Sequence, residues 1–175
     1  YLRGADALLL RAKNSVSSRY QIKEKIFETA EELLQLIETN IIDTDLFFQV
    51  AAVSDFKVGE SIKGKISSDN PFSLKLVPQI KIVEQIKKLS PKTILVAFKA
   101  EYGLSEKRLI EEATKKLEES NADFVIANDI SRRDRGFESD DNEVFVISKN
   151  KKVEKIPLAS KREVAKKIID YLSAS

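Results

Sequence analysis

The sequence contains no cysteine and no histidine. Without cysteine, a disulfide framework, a thiolate nucleophile and a cysteine-ligated zinc or iron–sulfur site are all excluded. Without histidine, the chain has no Ser-His-Asp triad, no HExxH zinc site and no imidazole base. Any catalysis must therefore use lysine, aspartate, glutamate, backbone amides and a bound ligand or cation.

The sequence also lacks an excess of charge of one sign and any long hydrophobic run. Lys and Arg number 30 and Asp and Glu number 28, so the formal charge of +2 argues against a nucleic-acid arm or a membrane-surface helix. No apolar run approaches the about 18 residues of a transmembrane helix, and Ala7–Leu10 is too short for a signal peptide. We expect one cytoplasmic domain of 175 residues, with neither a nucleic-acid nor a membrane partner.

Alternating strand and helix patterns predict the fold class. Three almost wholly apolar runs are typical of strands buried on both faces of a parallel sheet, namely Leu46–Val53, Thr93–Phe98 and Phe124–Ala127. Shorter strands, a hairpin and helices complete the pattern: strands at Ala7–Leu10 and Ile22–Phe27, a hairpin of Glu143–Ser148 with Lys152–Ile156, and helices after Thr29, near Val83, after Ser105 and after Ser160. The order predicts an α/β, Rossmann-like three-layer fold with a mostly parallel central sheet.

One segment interrupts that alternation. Residues 62–77 form two alternating runs around the turn sequence Ser-Ser-Asp-Asn-Pro. We predict a protruding two-stranded arm there, inserted before the helix near Val83.

Candidate site residues follow the three buried strands, because ligands of open parallel sheets bind beyond the carboxyl ends of the strands. The first strand leads into Ala51–Asp55, the second into Phe98–Glu101 and the third into Asn128 and Asp129. Asp55 is suited to a hydrated Mg²⁺ on a triphosphate, since hard cations prefer oxygen ligands. Nearby lysines are suited to neutralising a transferring phosphoryl or nucleotidyl group.

A structural interpretation stands beside each of these candidates. Aspartates after strands are often turn formers or helix caps, which applies to Asp55 and more strongly to Asn128 with Asp129. Lysines on exposed strands and helices are usually solvated, which applies to Lys65 and Lys116. The five glycines are too far apart to form a phosphate-binding loop. From these residues alone, the sequence predicts an α/β domain with possible nucleotide binding.

Six motifs, taken in order, resemble the phosphopantothenate–cysteine ligase family. They are AAVSDFK at 51–57, GKISS at 64–68, AFKAE at 97–101, ADFVIANDIS at 122–131, GFESDDN at 136–142 and SKREVAKKI at 160–168. In many bacteria and archaea this ligase is the C-terminal half of a bifunctional protein whose N-terminal half is a flavin-dependent decarboxylase. The resemblance therefore implies FMN only in a fused decarboxylase half, not in this chain.

The resemblance implies a reaction that needs no histidine. Members of the family activate the carboxylate of 4′-phosphopantothenate with CTP or ATP, releasing pyrophosphate and forming an acyl-nucleotidylate. The amine of cysteine then gives 4′-phosphopantothenoylcysteine, a step of coenzyme A biosynthesis. Lysines and Mg²⁺ supply the charge stabilisation at the α-phosphate.

The resemblance also implies roles for individual residues. Lys65 matches the catalytic lysine, and Asp55 matches an aspartate near the triphosphate and Mg²⁺. The nucleotide-binding positions implied are Ala51, Ala52, Asp55, Phe98, Lys116, Asn128 and Phe137. Residues 62–77 match the strands through which the family forms homodimers.

Departures from the family pattern leave the choice of nucleotide open, although CTP is favoured over ATP. The family's KIKK element reads Lys65-Ile-Ser-Ser68 here, and a second nucleotide-contacting lysine is Ser120. The sequence also joins the pattern after the family's first strand and its Gly-rich loop. We therefore expect a single ligase domain over 1–175 that lacks these elements and is inactive alone.

Two other functions remain as alternatives. One is a dinucleotide-binding oxidoreductase domain, although the arm at 62–77 has no role in such a fold. The other is a non-catalytic dimeric binding module, which would be indifferent to Lys65→Ala in ligand assays.

Overall fold

A computed structural model of the chain describes residues 2–59, 64, 71–132, 134–135 and 139–174. Nine strands and four helices lie within these residues. The strands are β1 (Leu8–Ala12), β2 (Lys23–Phe27), β3 (Leu46–Gln49), β4 (Phe56–Val58), β5 (Leu76–Pro78), β6 (Ile94–Glu101), β7 (Phe124–Asp129), β8 (Asp141–Ser148) and β9 (Val153–Ser160). The helices are α1 (Ala30–Asn40), α2 (Val83–Leu89), α3 (Glu106–Ser120) and α4 (Lys161–Ala174).

The central sheet has five strands in the order β3-β6-β7-β8-β9. Strands β3, β6 and β7 are parallel, with Phe48 opposite Val96 and Phe98 opposite Ile126. Strand β8 runs antiparallel to both β7 and β9, so four of the five strands share one direction. The predicted α/β fold with a mostly parallel sheet is confirmed.

Helices cover both faces of this sheet, which confirms the three-layer arrangement. On one face, Leu95 and Val125 pack with the apolar sides of α1, α2 and α3. On the other face, Val96 and Ile126 pack with Val164 and Ile168 of α4. Successive strand residues alternate between the faces because side chains in a strand point in alternate directions.

Helix boundaries follow the capping residues seen in the sequence. The Thr29 hydroxyl accepts a hydrogen bond from the Glu32 N–H at 3.1 Å, and the Ser160 hydroxyl accepts one from the Glu163 N–H at 3.3 Å. These contacts satisfy backbone donors that the first helical turn would otherwise leave unpaired. Among the described residues, no helix has the length and apolar character that crossing a bilayer requires.

Three sequence predictions differ from the structure in detail. The first strand of the central sheet ends at Gln49 rather than Val53, because the chain then turns to line a cavity. The hairpin strands β8 and β9 are longer than predicted and extend to Asp141 and Ser160. Strands β1 and β2 form a separate parallel pair, and in the described residues neither is hydrogen-bonded to the central sheet.

The arm contains a two-stranded antiparallel sheet. Strand β4 pairs with β5, and Lys57 lies opposite Val77. The pairing therefore begins at Phe56, before the predicted range of 62–77. Within that range, residues 62–63 and 65–70 lie outside the described residues.

Candidate functional site

A cavity of about 570 Å³ lies at the carboxyl ends of β3, β6 and β7, where the sequence predicts a ligand site. Four groups of residues line it. They are Gln49–Asp55 after β3, Ile80–Val83 at the start of α2, Ala97–Ala100 at the end of β6, and a further wall of Lys116, Asn128, Asn142, Val144, Lys161, Val164, Ala165 and Ile168. The cavity is thus bordered by helices of both layers and by the sheet between them.

Six of the eight predicted site residues line this cavity. They are Ala51, Ala52, Asp55, Phe98, Lys116 and Asn128. The other two, Lys65 and Phe137, lie outside the described residues. The residues brought together come from four separate parts of the chain, so sheet topology, not sequence proximity, creates the site.

Hydrogen bonds from Gln49 and Gln79 hold the segment after β3 in place. Buried Gln49 donates from Nε2 to the Ala51 carbonyl at 3.0 Å, which fixes the turn out of the strand. The Asp55 carbonyl accepts a hydrogen bond from the Gln79 N–H at 2.8 Å. Asp55 therefore stands between the sheet and the arm, with its side chain at the cavity wall.

Asp55 is suited to share a cation with a bound ligand. Across the part of the chain that the structure describes, no three His, Cys, Asp or Glu side chains cluster as a metal site. A single carboxylate fits Mg²⁺, which proteins commonly bind through one or two carboxylates together with substrate phosphates and water. A cation here would depend on the ligand's phosphates and on water for its other oxygen ligands.

Asn128 and Asp129 end β7 and have different roles. The Asn128 Nδ2 donates to the Asn142 Oδ1 at 3.4 Å, so the two amides face each other across β7 and β8 at the cavity wall. The Asp129 carboxylate accepts hydrogen bonds from the Gly103 N–H at 2.9 Å and from the N–H and hydroxyl of Ser131 at 3.0 and 2.8 Å. Asp129 thus ties the loop after β6 to the end of β7, as the turn interpretation expects.

These contacts set the protonation of Asp129. Partial burial alone would raise the pKa of the Asp129 carboxyl. The donors from Gly103 and Ser131, with the charge of Arg135, outweigh that effect and hold the pKa below its ordinary value. Asp129 is therefore a charged structural anchor near neutral pH.

Lys116 is half-buried at the cavity, whereas its neighbour Lys115 is exposed. Burial of the ammonium, together with the nearby charges of Lys81 and Lys99, lowers the pKa of Lys116 below its usual value. The acids Glu119 and Glu84 oppose this shift without cancelling it. The prediction of a solvated lysine is wrong for Lys116, whose ammonium is partly desolvated beside other cations.

Sequence reasoning missed several cavity residues. Gln49 lies within the predicted apolar strand Leu46–Val53 and Asn142 within the motif GFESDDN, but neither was named as a candidate site residue. Val164 and Ile168 belong to the helix predicted after Ser160, and they pack in the core while also lining the cavity. A polar residue within an apolar strand was the one usable signal, and it pointed to Gln49 alone.

Comparisons with known proteins agree with this geometry. The family described as DNA/pantothenate metabolism flavoprotein C-terminal domain matches residues 1–175. The coenzyme A biosynthesis bifunctional protein CoaBC of Thermococcus kodakarensis is 39% identical over 172 residues, covering 97% of this chain and 41% of that protein. The chain spans about two fifths of the length of the curated relatives that it matches.

Two solved structures also resemble the chain. The C-terminal domain of a coenzyme A biosynthesis bifunctional protein CoaBC matches with a TM-score of 0.76 and 25% identity, over 99% of this chain and 77% of that one. A mutant of Cab2 in complex with phosphopantothenate-cysteine matches with a TM-score of 0.57 and 19% identity, over 88% of this chain and 55% of that one. The second likeness, at that identity, shows the fold alone.

Proposed function

The chain belongs to the DNA/pantothenate metabolism flavoprotein C-terminal domain family, and from this premise we propose that it is a phosphopantothenate–cysteine ligase domain. Its substrates are 4′-phosphopantothenate, cysteine and a nucleoside triphosphate, and its product serves coenzyme A biosynthesis. The relatives that match most of this chain are named for coenzyme A biosynthesis. One structural neighbour was solved with phosphopantothenate-cysteine.

The convergence of six predicted residues on one cavity carries this proposal. The cavity volume of about 570 Å³ is in the range of small-molecule sites, about 300–1,000 Å³. Its wall combines apolar residues with a carboxylate, lysines and amides. A nucleotide needs this combination, because its base and ribose suit apolar and amide groups while its phosphates need cations.

The proposed chemistry has two steps. A carboxylate oxygen of 4′-phosphopantothenate bonds to the α-phosphorus, and the bond to the β-phosphate oxygen breaks with its electron pair on pyrophosphate. The cysteine amine then bonds to the acyl carbon, and the nucleoside monophosphate leaves with the electron pair of the C–O bond. The attacking amine releases its proton to the departing phosphate oxygen or to water, so the second step balances without a histidine base.

Lysines supply most of the charge stabilisation that comes from the chain itself. Lys116 neutralises phosphate charge from its half-buried position, and Lys65 is proposed to stabilise the transferring nucleotidyl group. Asp55 would hold Mg²⁺ against the phosphates, and the ion would supply further charge stabilisation. The segment Ala51–Ala52 and the side chains Phe98, Asn128 and Phe137 are proposed to bind the nucleotide.

Pyrophosphate release by the full-length polypeptide tests the proposal and the choice of nucleotide. Each reaction contains 4′-phosphopantothenate and either CTP or ATP, with and without cysteine. We expect release that depends on 4′-phosphopantothenate and is faster with CTP. Lys65→Ala and Asp55→Asn should lower the rate by at least about 100-fold, the loss typical of a group that stabilises transition-state charge.

Matched variants make that test specific. Asp43 is exposed, as Asp55 is, but it lies before β3 and does not line the cavity. Asp43→Asn should therefore leave the rate unchanged. If the folded protein released no pyrophosphate with either nucleotide, the ligase assignment would be wrong. Nucleotide binding without turnover would instead favour a binding module, and reduction of a nicotinamide cofactor would favour an oxidoreductase.

We also propose that one further parallel strand lies between β1 and β3. In the described residues, β1 pairs with β2 alone and β3 pairs with β6 alone, so each has an edge without a partner. Leu10 of β1 and Phe47 of β3 nevertheless pack against the same core cluster. The prediction that 1–175 is inactive alone follows, and equal activity of 1–175 and the full-length polypeptide would contradict it.

Homodimerisation through residues 62–77 is supported by exposed apolar side chains on the arm. Phe72, Leu74 and Leu76 lie within this range and are all exposed, as is Phe56 on β4. Soluble monomers rarely expose contiguous apolar patches of this kind, which commonly mark interfaces. We propose that a second copy of this chain covers the patch.

Light scattering on variants tests the dimer. Leu74 is 57% exposed on the arm, and Val16 is 91% exposed in the loop after β1. Leu74→Glu should convert dimer to monomer, whereas Val16→Glu should leave the mass unchanged. A monomeric wild type at micromolar concentration would contradict the proposal.

A further inference from the structure

A small polar cavity adjoins the main one, and we call it the annex. Its volume is about 180 Å³. Four lysines and three carboxylates line it: Lys81, Lys99, Lys115 and Lys116, with Asp55, Glu112 and Glu119. Asp55, Lys81, Lys99 and Lys116 also line the main cavity, so the two spaces meet at these four side chains.

Three of the shared residues are lysines that come from different elements. Lys81 precedes α2, Lys99 lies near the end of β6 and Lys116 lies on α3. Their positive charges repel one another, and Lys116 is also half-buried. Placing three ammonium groups together has a cost that a bound anion would remove.

The lysines have ion-pair partners, which provides the purely structural explanation. Lys81 pairs with Glu84 at 3.4 Å, and Lys99 pairs with Glu101 at 2.8 Å. Partners this close in sequence form exposed or half-exposed pairs, which contribute about 0–1 kcal/mol in proteins generally. Such weak pairs are readily exchanged for contacts with a phosphate. They therefore do not explain why three lysines from different elements meet at the annex.

We propose that Lys81 and Lys99 join Lys116 in binding the β- and γ-phosphates of the nucleoside triphosphate inside the annex. This inference rests on the proposed ligase function and adds Lys81 and Lys99 to the nucleotide-binding residues that the family resemblance implies. The annex opens from the cavity beside Asp55, so a cation held there would contact the same phosphates. When the bond between the α-phosphorus and the bridging oxygen breaks, Lys81 and Lys99 stabilise the negative charge that pyrophosphate gains.

Because the annex also contains carboxylates, only a ligand of high negative charge is expected to bind there. Glu112 and Glu119 face the same space, so the annex has only one more lysine than it has carboxylates. A monophosphate gains little from such a balanced lining. A polyphosphate with its cation reaches all three shared lysines at once, which gives selectivity for the triphosphate.

Calorimetric titration of the full-length polypeptide tests the inference. The ligands are CTP, CMP and inorganic tripolyphosphate, each with Mg²⁺, and ATP with AMP replaces the cytidine pair if ATP is the substrate. We expect Lys81→Ala and Lys99→Ala each to weaken triphosphate and tripolyphosphate binding about tenfold, the loss of one charge-assisted hydrogen bond. Binding of the monophosphate should change by less than about twofold, and Lys99→Arg should restore most of the affinity.

Lys88→Ala is the matched control, because Lys88 is an exposed lysine in the last turn of α2 that lines neither cavity. Any of three results would overturn the inference. Lys81→Ala and Lys99→Ala could weaken monophosphate binding as much as triphosphate binding, they could leave triphosphate affinity unchanged, or Lys88→Ala could weaken triphosphate binding equally. The experiments distinguish a failure of the annex proposal from a failure of the ligase assignment. If tripolyphosphate binding needs Lys81 and Lys99 but the protein has no ligase turnover, the annex proposal is supported and the ligase assignment is not. If both variants turn over with an unchanged KM for the nucleotide, the annex proposal is refuted and the ligase assignment stands.

Discussion

The most sharply defined stability prediction concerns Asp123, which directly precedes β7. Its carboxylate accepts a hydrogen bond from the Leu95 N–H at 2.8 Å and pairs with the Lys87 Nζ at 2.5 Å. The Lys87 Nζ also donates to the Thr93 carbonyl at 2.7 Å. One carboxylate therefore links α2, the first residues of β6 and the first residues of β7.

The loss in Asp123→Ala follows from these contacts. The side chains of Lys87 and Asp123 are 11% and 23% exposed, so the pair is largely shielded from water. Removing one partner of a buried pair costs about 3–5 kcal/mol, and a hydrogen bond to a charged group contributes about 1.5–3 kcal/mol. Because some solvent reaches Asp123 and Lys87 keeps the Thr93 carbonyl, we expect about 3 kcal/mol.

Thermal unfolding monitored by circular dichroism measures this loss. For a chain of this size, 3 kcal/mol corresponds to a fall in Tm of about 6–12 °C. Glu118→Ala is the control, because Glu118 pairs with Lys151 at 3.2 Å where the side chains are 61% and 70% exposed. The control should change the free energy of unfolding by less than about 0.5 kcal/mol.

The comparison is decisive in either direction. If Asp123→Ala lost less than about 1 kcal/mol, or no more than Glu118→Ala, the assigned energy of this linkage would be wrong. The double variant Lys87→Met/Asp123→Ala supplies a second check. It should lose less than the sum of the single variants, since it leaves no partly buried charge unpaired.

Three further predictions concern local contacts. Asp129→Asn should destabilise the protein by about 1 kcal/mol at pH 7. Because the folded-state pKa of Asp129 lies below the ordinary 3.8, the difference in free energy of unfolding between wild type and variant should shrink as the pH falls below that value. Denaturant titrations measure this difference, and a difference that stays constant with pH would contradict the prediction. Gly103→Ala should cost about 1 kcal/mol in chemical unfolding through its φ of +69° alone, since an added Cβ would meet nothing within 4 Å, and an unchanged midpoint would disprove the strain argument. Thr29→Ala should cost about 1 kcal/mol by loss of the cap on α1, and Thr29→Ser should retain stability.

The strands of the central sheet were the most predictable part of the fold. Strands β6 and β7 are fully apolar over most of their length because they are covered on both faces, and that composition is visible in the sequence. Capping residues such as Thr29 and Ser160 likewise marked helix starts, because their side chains satisfy backbone donors locally. Signals that act within a few residues can be detected without knowledge of the fold.

Features set by long-range pairing were not predictable in the same way. The separation of β1 and β2 from the central sheet depends on which edges meet, and the sequence of either strand carries no such information. Lys115 and Lys116 are adjacent and chemically identical, yet only the packing of α3 makes one exposed and the other half-buried. Likewise, Val164 and Ile168 have the same apolar signature whether they face a core or a cavity.

The separation of the β1–β2 pair from the five-stranded central sheet also bears on how the molecule opens. Strands β6 and β7 are bonded on both sides within the central sheet, so their amide hydrogens are released to solvent only when the whole sheet unfolds. Strands β1 and β2 are joined to the rest through α1 and the core cluster that they share, and β2 is exposed over four of its five residues. In the 175-residue chain the pair therefore forms a unit of low local stability, whose amide hydrogens exchange by a partial opening that leaves the ligand cavity intact. The strand that we propose between β1 and β3 would raise the local stability of this pair in the full-length polypeptide.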